Sequence, residues 1–221
     1  MKERGIIFNS EMVRAILDGR KTQTRRVVKH QRHPSQEIKL CDDGFFHWSM
    51  IGAEKPLSAI NYEYGRVGDR LWVRETWQGP LINYTDDEPL FKGHHIFEKS
   101  DNCVYKADGG ETPEFFDCDD NLSRGWRPSI HMPRWASRIT LEITNVRVER
   151  LNDISARDVV AEGLIQLPVS GRYVRFEGAQ HFGLAYRDHK EAFADLWDEV
   201  SKPDCNFESN PWVWVIEFKR V

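Results

Sequence analysis

Nine residues, Asp18-Gly19-Arg20-Lys21-Thr22-Gln23-Thr24-Arg25-Arg26, gather a lysine, two threonines and three arginines behind a helix stop. A glycine followed by cations is an ordinary helix ending. Glycine takes the left-handed position after the last turn, and positive charge suits the helix's negative end. That accounts for Gly19, Arg20 and Lys21. Beyond them the side chains alternate: Thr22, Thr24 and Arg26 fall on one face of a strand, Gln23 and Arg25 on the other. One face thus carries two hydroxyls and a guanidinium beside a lysine. Such a face is either solvent-exposed or the wall of a polar pocket.

Other chemical signals are weaker. Arg70, Trp72 and Arg74 share one face of a strand that follows the Gly68-Asp69 turn, an arrangement able to stack on a base, although tryptophan in a strand is more often core. Glu162 sits in the last turn of a short helix that Gly163 ends. An anion there faces the helix's negative end, and its proton affinity rises unless a cation is near. A solvated surface glutamate is the commoner reading of such a position. His94, His95, Cys103 and Cys118 fit no zinc-ligand spacing, and there is no P-loop, dinucleotide fingerprint or Gly-x-Ser-x-Gly elbow. Neither metal nor cofactor is expected.

The elements that must position these residues follow from periodicity. Ile6-Ile7-Phe8 reads as a buried strand. A helix capped by Ser10 carries Met12, Val13, Ile16 and Leu17 to Gly19, and a strand over 22–28 follows. Leu71 and Val73 alternate against Arg70, Trp72 and Arg74. Ile139, Leu141 and Ile143 give way to Val146 and Val148 in the opposite parity, which predicts a bulge or bend near Asn145. Ser155 and Asp158 form a capping box, with Ile154 and Val159 as its staple. A late helix aligns Phe193, Leu196, Trp197 and Val200 in one stripe. The closing strand, apolar on both faces until Glu217, reads as central. Three long irregular stretches, 29–65, 78–133 and 165–183, read as insertions, the first with a hairpin around Gly44-Phe45-Phe46. Strands at both termini with short helices between predict one α+β domain closed into a small barrel.

Composition sets the outer bounds. The 221 residues are 40% apolar, with 8 Trp and 12 Phe, enough for a sizeable core. A net charge of -4 excludes a globally basic nucleic-acid binder but not a local basic groove. The four cysteines have no CxxC spacing, no apolar run approaches a membrane span, and the first residues lead into a strand-like run rather than a signal peptide. A cytoplasmic protein with reduced thiols is expected, with no membrane partner.

The run from Met12 to Arg26, the Gly68-Asp69 turn and the closing strand over 213–219 resemble ASCH-domain proteins of the PUA-like superfamily. Arg74-Glu75-Thr76-Trp77 and Asn210-Pro211-Trp212-Val213-Trp214 are similar to the long ASCH proteins of phages and prophages. The resemblance implies a PUA-like small mixed β-barrel with flanking short helices, and it covers the regular segments but not the insertions. The usual signature is Gly-x-Lys-x-x-Glu-x-Arg. Here Gly19, Lys21 and Arg26 are in register, with Thr24 where the glutamate stands. A threonine there is similar to the bacterial N4-acetylcytidine amidohydrolases, in which the motif's lysine and threonine work with a glutamate from a later short helix. That comparison implies Lys21, Thr24 and Glu162 as catalytic residues, Glu162 by the looser alignment.

The implied chemistry is coherent. A threonine hydroxyl needs a base, and a lysine serves only when burial or a nearby cation lowers its proton affinity. Acyl transfer from a cytosine exocyclic nitrogen to Thr24, then hydrolysis, is one expectation. The rival is a non-catalytic reader of RNA or of a modified base. In that case Arg20, Thr22, Arg25, Arg26, Arg70 and Arg74 contact the ligand and Trp72 or Trp77 stacks on a base. A nuclease activity ranks below both. The expected partner is a modified nucleoside or RNA.

Overall fold

In this computed structural model the described residues are 1–29, 31, 36–60, 62–81, 97–116 and 121–221. His94, His95 and Cys118 lie outside them, as do His30 and His33 of the first insertion and two acidic stretches of the second, 86–88 and 117–120. The strands are β1 (Glu3–Ile7), β2 (Gln23–Val27), β3 (Gln36–Leu40), β4 (Phe46–Met50), β5 (Ser58–Ala59), β6 (Arg70–Arg74) and β7 (Trp77–Gln78). They continue as β8 (Val104–Tyr105), β9 (Glu114–Phe116), β10 (Leu122–Arg124), β11 (Thr140–Arg150), β12 (Ile165–Gln166), β13 (Tyr173–Val174) and β14 (Trp212–Arg220). The helices are α1 (Ser10–Leu17), α2 (Ala156–Ala161) and α3 (His189–Val200). This is a mixed α+β chain, mostly sheet.

Two compact units divide it. The first comprises Met1–Gly19, Gly68–Glu142 and Lys219–Val221; the second comprises Arg20–Val67 and Ile143–Phe218.

In the first unit β1 runs parallel to β6, and the start of β11 pairs antiparallel with β6, giving the order β1-β6-β11 with β1 at the edge. Leu71 and Val73 are buried as the alternation requires, and Gly68 takes the positive φ (86°) that its turn needs. Helix α1 begins one residue earlier than expected. Asn9, not Ser10, is its cap, because the Asn9 side chain accepts from the Met12 N–H. At the other end Gly19 sits in the left-handed region (φ 73°) as predicted. Within the second irregular stretch β8 is only two residues long, since the chain turns into a 3-10 helix at Lys106–Asp108. Trp77, Tyr105, Met132 and Ala136 form a buried cluster, with Cys103 and Trp135 packed against it.

In the second unit the order is β11-β14-β2, with β14 central as predicted and β2 at the edge. The β2–β14 pairing is antiparallel, with Thr24 opposite Ile216, Arg25 opposite Val215 and Arg26 opposite Trp214. Strand β11 is continuous. Its change of parity shows as two exposed residues in succession, Thr144 and Asn145. The capping box of α2 is formed as read, with Ser155 and Asp158 bonding each other's backbone, and Ile154 and Val159 are both buried. Helix α3 buries Phe193, Leu196 and Trp197. Val200 is 49% exposed instead, because it is the helix's last residue.

Two of the irregular stretches contribute small sheets here. The described part of 29–65 folds as β3-β4-β5, with the predicted hairpin closed by Gly44, and 165–183 holds the β12–β13 hairpin. With β1 and β2 each an edge strand of its own unit, no closed barrel is formed among the described residues. No helix among them is long and apolar enough to cross a membrane.

Candidate functional site

Helix α2 is short, so its C-terminal carbonyls dominate its outer end and need donors. Three consecutive residues of the basic run supply them. The Arg20 guanidinium donates to the Gly163 carbonyl at 2.7 Å, Lys21 Nζ to the Glu162 carbonyl at 2.8 Å, and the Thr22 N–H to the Ala161 carbonyl at 2.9 Å. The Thr22 carbonyl in turn accepts from the Phe218 N–H, which holds the segment to β14. The cations therefore serve the negative end of a helix, but of α2 rather than of α1, the helix they follow in sequence.

Glu162 is the C-cap of α2 and is only 5% exposed, so it is not the solvated surface residue that its position suggested. Its two carboxylate oxygens go to different cations. Oε2 accepts from Lys21 Nζ at 2.7 Å, and Oε1 accepts from Arg25 Nη1 at 3.0 Å. The side chains of Lys21 and Arg25 are both wholly buried. Burying an anion at a helix's C-terminal end is doubly unfavourable, and two buried cations are what make it tolerable.

Arg25 is committed further. Its Nη2 pairs with Glu149 of β11 and lies 3.6 Å from Asp158 of α2, and its guanidinium stands 5.7 Å from the Phe193 ring centre. Arg147 binds the same two acids, Glu149 at 3.2 Å and Asp158 at 2.9 Å, and also pairs with Glu217 of β14. A network of alternating charges thus runs from Lys21 through Glu162, Arg25 and Glu149 to Arg147.

The electrostatics separate the members. Burial pushes the Lys21 ammonium below its ordinary range. Glu162 opposes that shift, and the charges of Arg26 and Arg25 add to it. Lys21 is therefore the cation in the network that most readily gives up a proton. Asp158 goes the other way: burial raises it, but the Ser155 hydroxyl and the charges of Arg25 and Arg147 outweigh that and hold it below the usual carboxylate range.

The opposite face of β2 has a different lining. Thr24 is buried, and strand alternation puts it with Arg26, Ile216 and Trp214, away from Arg25. Trp214 is covered by two aromatic rings from the first insertion: Phe46 packs edge-on at 5.0 Å and Tyr62 lies tilted at 4.6 Å. Arg26 is half-buried on this face, and its charge is felt at both Glu162 and Tyr64. Thr22, expected to continue the strand face, precedes β2 and is exposed.

The structure therefore brings Lys21 and Arg25 into direct contact with Glu162, and places Thr24 and Arg26 on the other face of β2, the face of Trp214. Arg25 cannot act as the phosphate contact read from the sequence, because all of its charge is turned inward onto carboxylates. Arg70, Trp72, Arg74 and Trp77 belong to the first unit. There Trp72 packs on Gly5 and beneath the Arg74 guanidinium, and Arg74 donates to the Ile130 carbonyl. Trp77 is 1% exposed and closes that unit's core, so it has no face free to stack on a base. Among the described residues no group of three or more His, Cys, Asp or Glu side chains is arranged to hold a metal ion.

Arg147 and Glu149 escaped the sequence reading, although one signal was there. They lie two apart in β11, opposite in parity to Val146 and Val148, and so share a polar face. The aromatic cover from Phe46 and Tyr62 has no such signal, because it depends on how the first insertion packs. No protein-family model, no curated protein and no solved structure matches the chain.

Proposed function

We propose that the second unit is an amidohydrolase site acting on N4-acylated cytidine, free or within RNA, in an ASCH protein of PUA-like ancestry. The observation that carries this reading is the buried Lys21 amine, 2.7 Å from the Glu162 carboxylate and pushed by its surroundings towards the neutral form. A neutral lysine is a base, and a threonine hydroxyl in the same sequence motif is the nucleophile it would serve.

In this mechanism Lys21 takes the Thr24 hydroxyl proton as the oxygen attacks the acyl carbonyl. Arg26 faces the developing oxyanion. Collapse of the adduct breaks the carbonyl–N4 bond, and the proton held by Lys21, with Glu162 as its partner, passes to the departing amine. The acyl–threonine ester remains. Water, deprotonated by Lys21, attacks the ester carbonyl, and as the acyl–oxygen bond breaks Lys21 returns that proton to the Thr24 oxygen, regenerating the hydroxyl and releasing the carboxylic acid. Phe46 and Tyr62, half-buried over Trp214, are the rings that suit a planar base, since every base offers a π-face.

The test is hydrolysis of N4-acetylcytidine, as nucleoside and within RNA, by wild type and by Lys21→Ala, Thr24→Ala and Glu162→Gln. Cytidine released by wild type and not by the variants supports the reading. Absence of turnover together with RNA binding that weakens steeply with salt would instead favour a reader of modified RNA.

A further inference from the structure

Glu162 is a carboxylate on a flexible side chain, yet its two oxygens are divided between two buried cations. Nothing in the helix that carries it dictates which way the carboxylate turns. Arg25 does. Its Nη1 holds Oε1 at 3.0 Å, leaving Oε2 directed at Lys21 Nζ. Arg25 is itself fixed from the far side, where Nη2 meets Glu149 and Asp158, and both of those acids are held again by Arg147. A guanidinium suits this position because its planar fork reaches two carboxylates at once, which an ammonium cannot do.

We propose that Arg25 is a positioning residue of the Lys21–Glu162 pair: it orients the Glu162 carboxylate towards Lys21 and shares its negative charge, so that Lys21 does not receive all of it. The role in turnover rests on the amidohydrolase reading; the effect on Lys21 does not. The charges acting on Lys21 are Glu162 at the end of α2 and Arg26 and Arg25 of β2, with Arg20 next in sequence; Glu149, Asp158 and Arg147 lie beyond Arg25. Lys21 and Arg25 each bond one oxygen of the Glu162 carboxylate, and Arg26 acts on it through its charge. Removing Arg25 leaves more of that charge to act on Lys21 and takes away a neighbouring cation. Both changes make Lys21 hold its proton more tightly.

The experiment is a pH titration of Lys21 in protein labelled with 13C at lysine Cε, followed by NMR and assigned by loss of one resonance in Lys21→Arg. No substrate is needed, so the outcome is independent of whether the protein hydrolyses anything. In Arg25→Gln the midpoint of Lys21 is expected to rise by about one pH unit or more. An unchanged midpoint in a folded Arg25→Gln protein overturns the proposal. If that variant does not fold, Arg25→Lys takes its place. It keeps a cation but cannot bridge Glu149 and Glu162 together, and a smaller rise is expected. An unchanged midpoint there is equally fatal. Once turnover of N4-acetylcytidine is established, the acid limb of the kcat/KM profile should move up by the same amount in each variant, an effect that lost stability alone does not produce.

Discussion

Each unit buries one glutamate against cations, and the two arrangements have different consequences. In the first unit Glu75 is 1% exposed and accepts from one edge of the Arg138 guanidinium, Nε donating to Oε1 and Nη2 to Oε2, each at 3.0 Å. Arg138 also binds Asp108, and its guanidinium carbon stands over the Tyr105 ring, 3.9 Å from its centre. Burial pulls the Arg138 guanidinium down, but its bonds to Glu75 and Asp108 outweigh that and hold its proton affinity above even the high ordinary value. In the second unit Glu162 faces a lysine whose proton affinity is lowered. Burial still lifts the Glu75 carboxyl above the ordinary carboxylate range, against the opposing pull of Arg138, but the guanidinium keeps its charge and the pair works as a clamp between the end of β6 and the segment leading into β11. The second contains a group that can release and regain a proton. The identity of the cation, more than the depth of burial, separates a structural carboxylate from one suited to chemistry.

The largest test of that contrast is catalytic. Lys21→Ala and Glu162→Gln should each lower kcat/KM for N4-acetylcytidine by about 10²–10⁴-fold, the usual worth of a positioned acid or base. Glu75→Gln should leave the rate at the wild-type level. Equal losses at both sites would erase the distinction.

Stability should show the reverse order. Arg138→Met leaves Glu75 buried without its bidentate partner and should cost about 3–5 kcal/mol in denaturant unfolding. Lys21→Met should cost less, since Arg25 continues to neutralise Glu162.

The pH dependence sharpens the same difference. Lys21 holds its proton less tightly folded than unfolded. Between its folded pKa and the ordinary 10.5 the unfolded chain therefore carries more protons, and stability should rise with pH through that window. Lys21→Met should remove the rise. Arg138 stays charged throughout and contributes no such slope. On the acid side Asp158 has its folded pKa below 3.8, so the stability it confers is complete above that value and is lost as pH falls through the folded pKa. Asp158→Asn should flatten that acid limb.

The smallest effects concern the caps. Asn9→Ala and Ser155→Ala should each cost about 1 kcal/mol of stability. Only Ser155→Ala should also lower turnover, because α2 carries Glu162 and its capping box holds Asp158 against Arg25 and Arg147. Comparing the two variants in one assay isolates the contribution of helix α2 to the site.

Much of the local structure was legible in the residues. The glycine stop at Gly19, the capping box at Ser155 and Asp158, the alternation of Leu71 and Val73 and the central place of the last strand each follow from a short-range rule, and each is found. Where sequence misplaced a boundary, a neighbouring side chain decided it: Asn9 reached the Met12 N–H that Ser10 was expected to satisfy. Lys21, Thr24 and Glu162 could be singled out through their motif and the family resemblance, but their surroundings could not. Glu162 lies 141 residues from Lys21, and its burial depends on β2 passing the end of α2. The inward turn of Arg25 depends in the same way on acids contributed by β11 and α2. The sequence by itself determined the elements and the residue types because caps, turns and periodicity act over a few positions. Only the tertiary structure decided which cation met which carboxylate, and how far from water, since charge pairing and desolvation are properties of groups brought together across the chain.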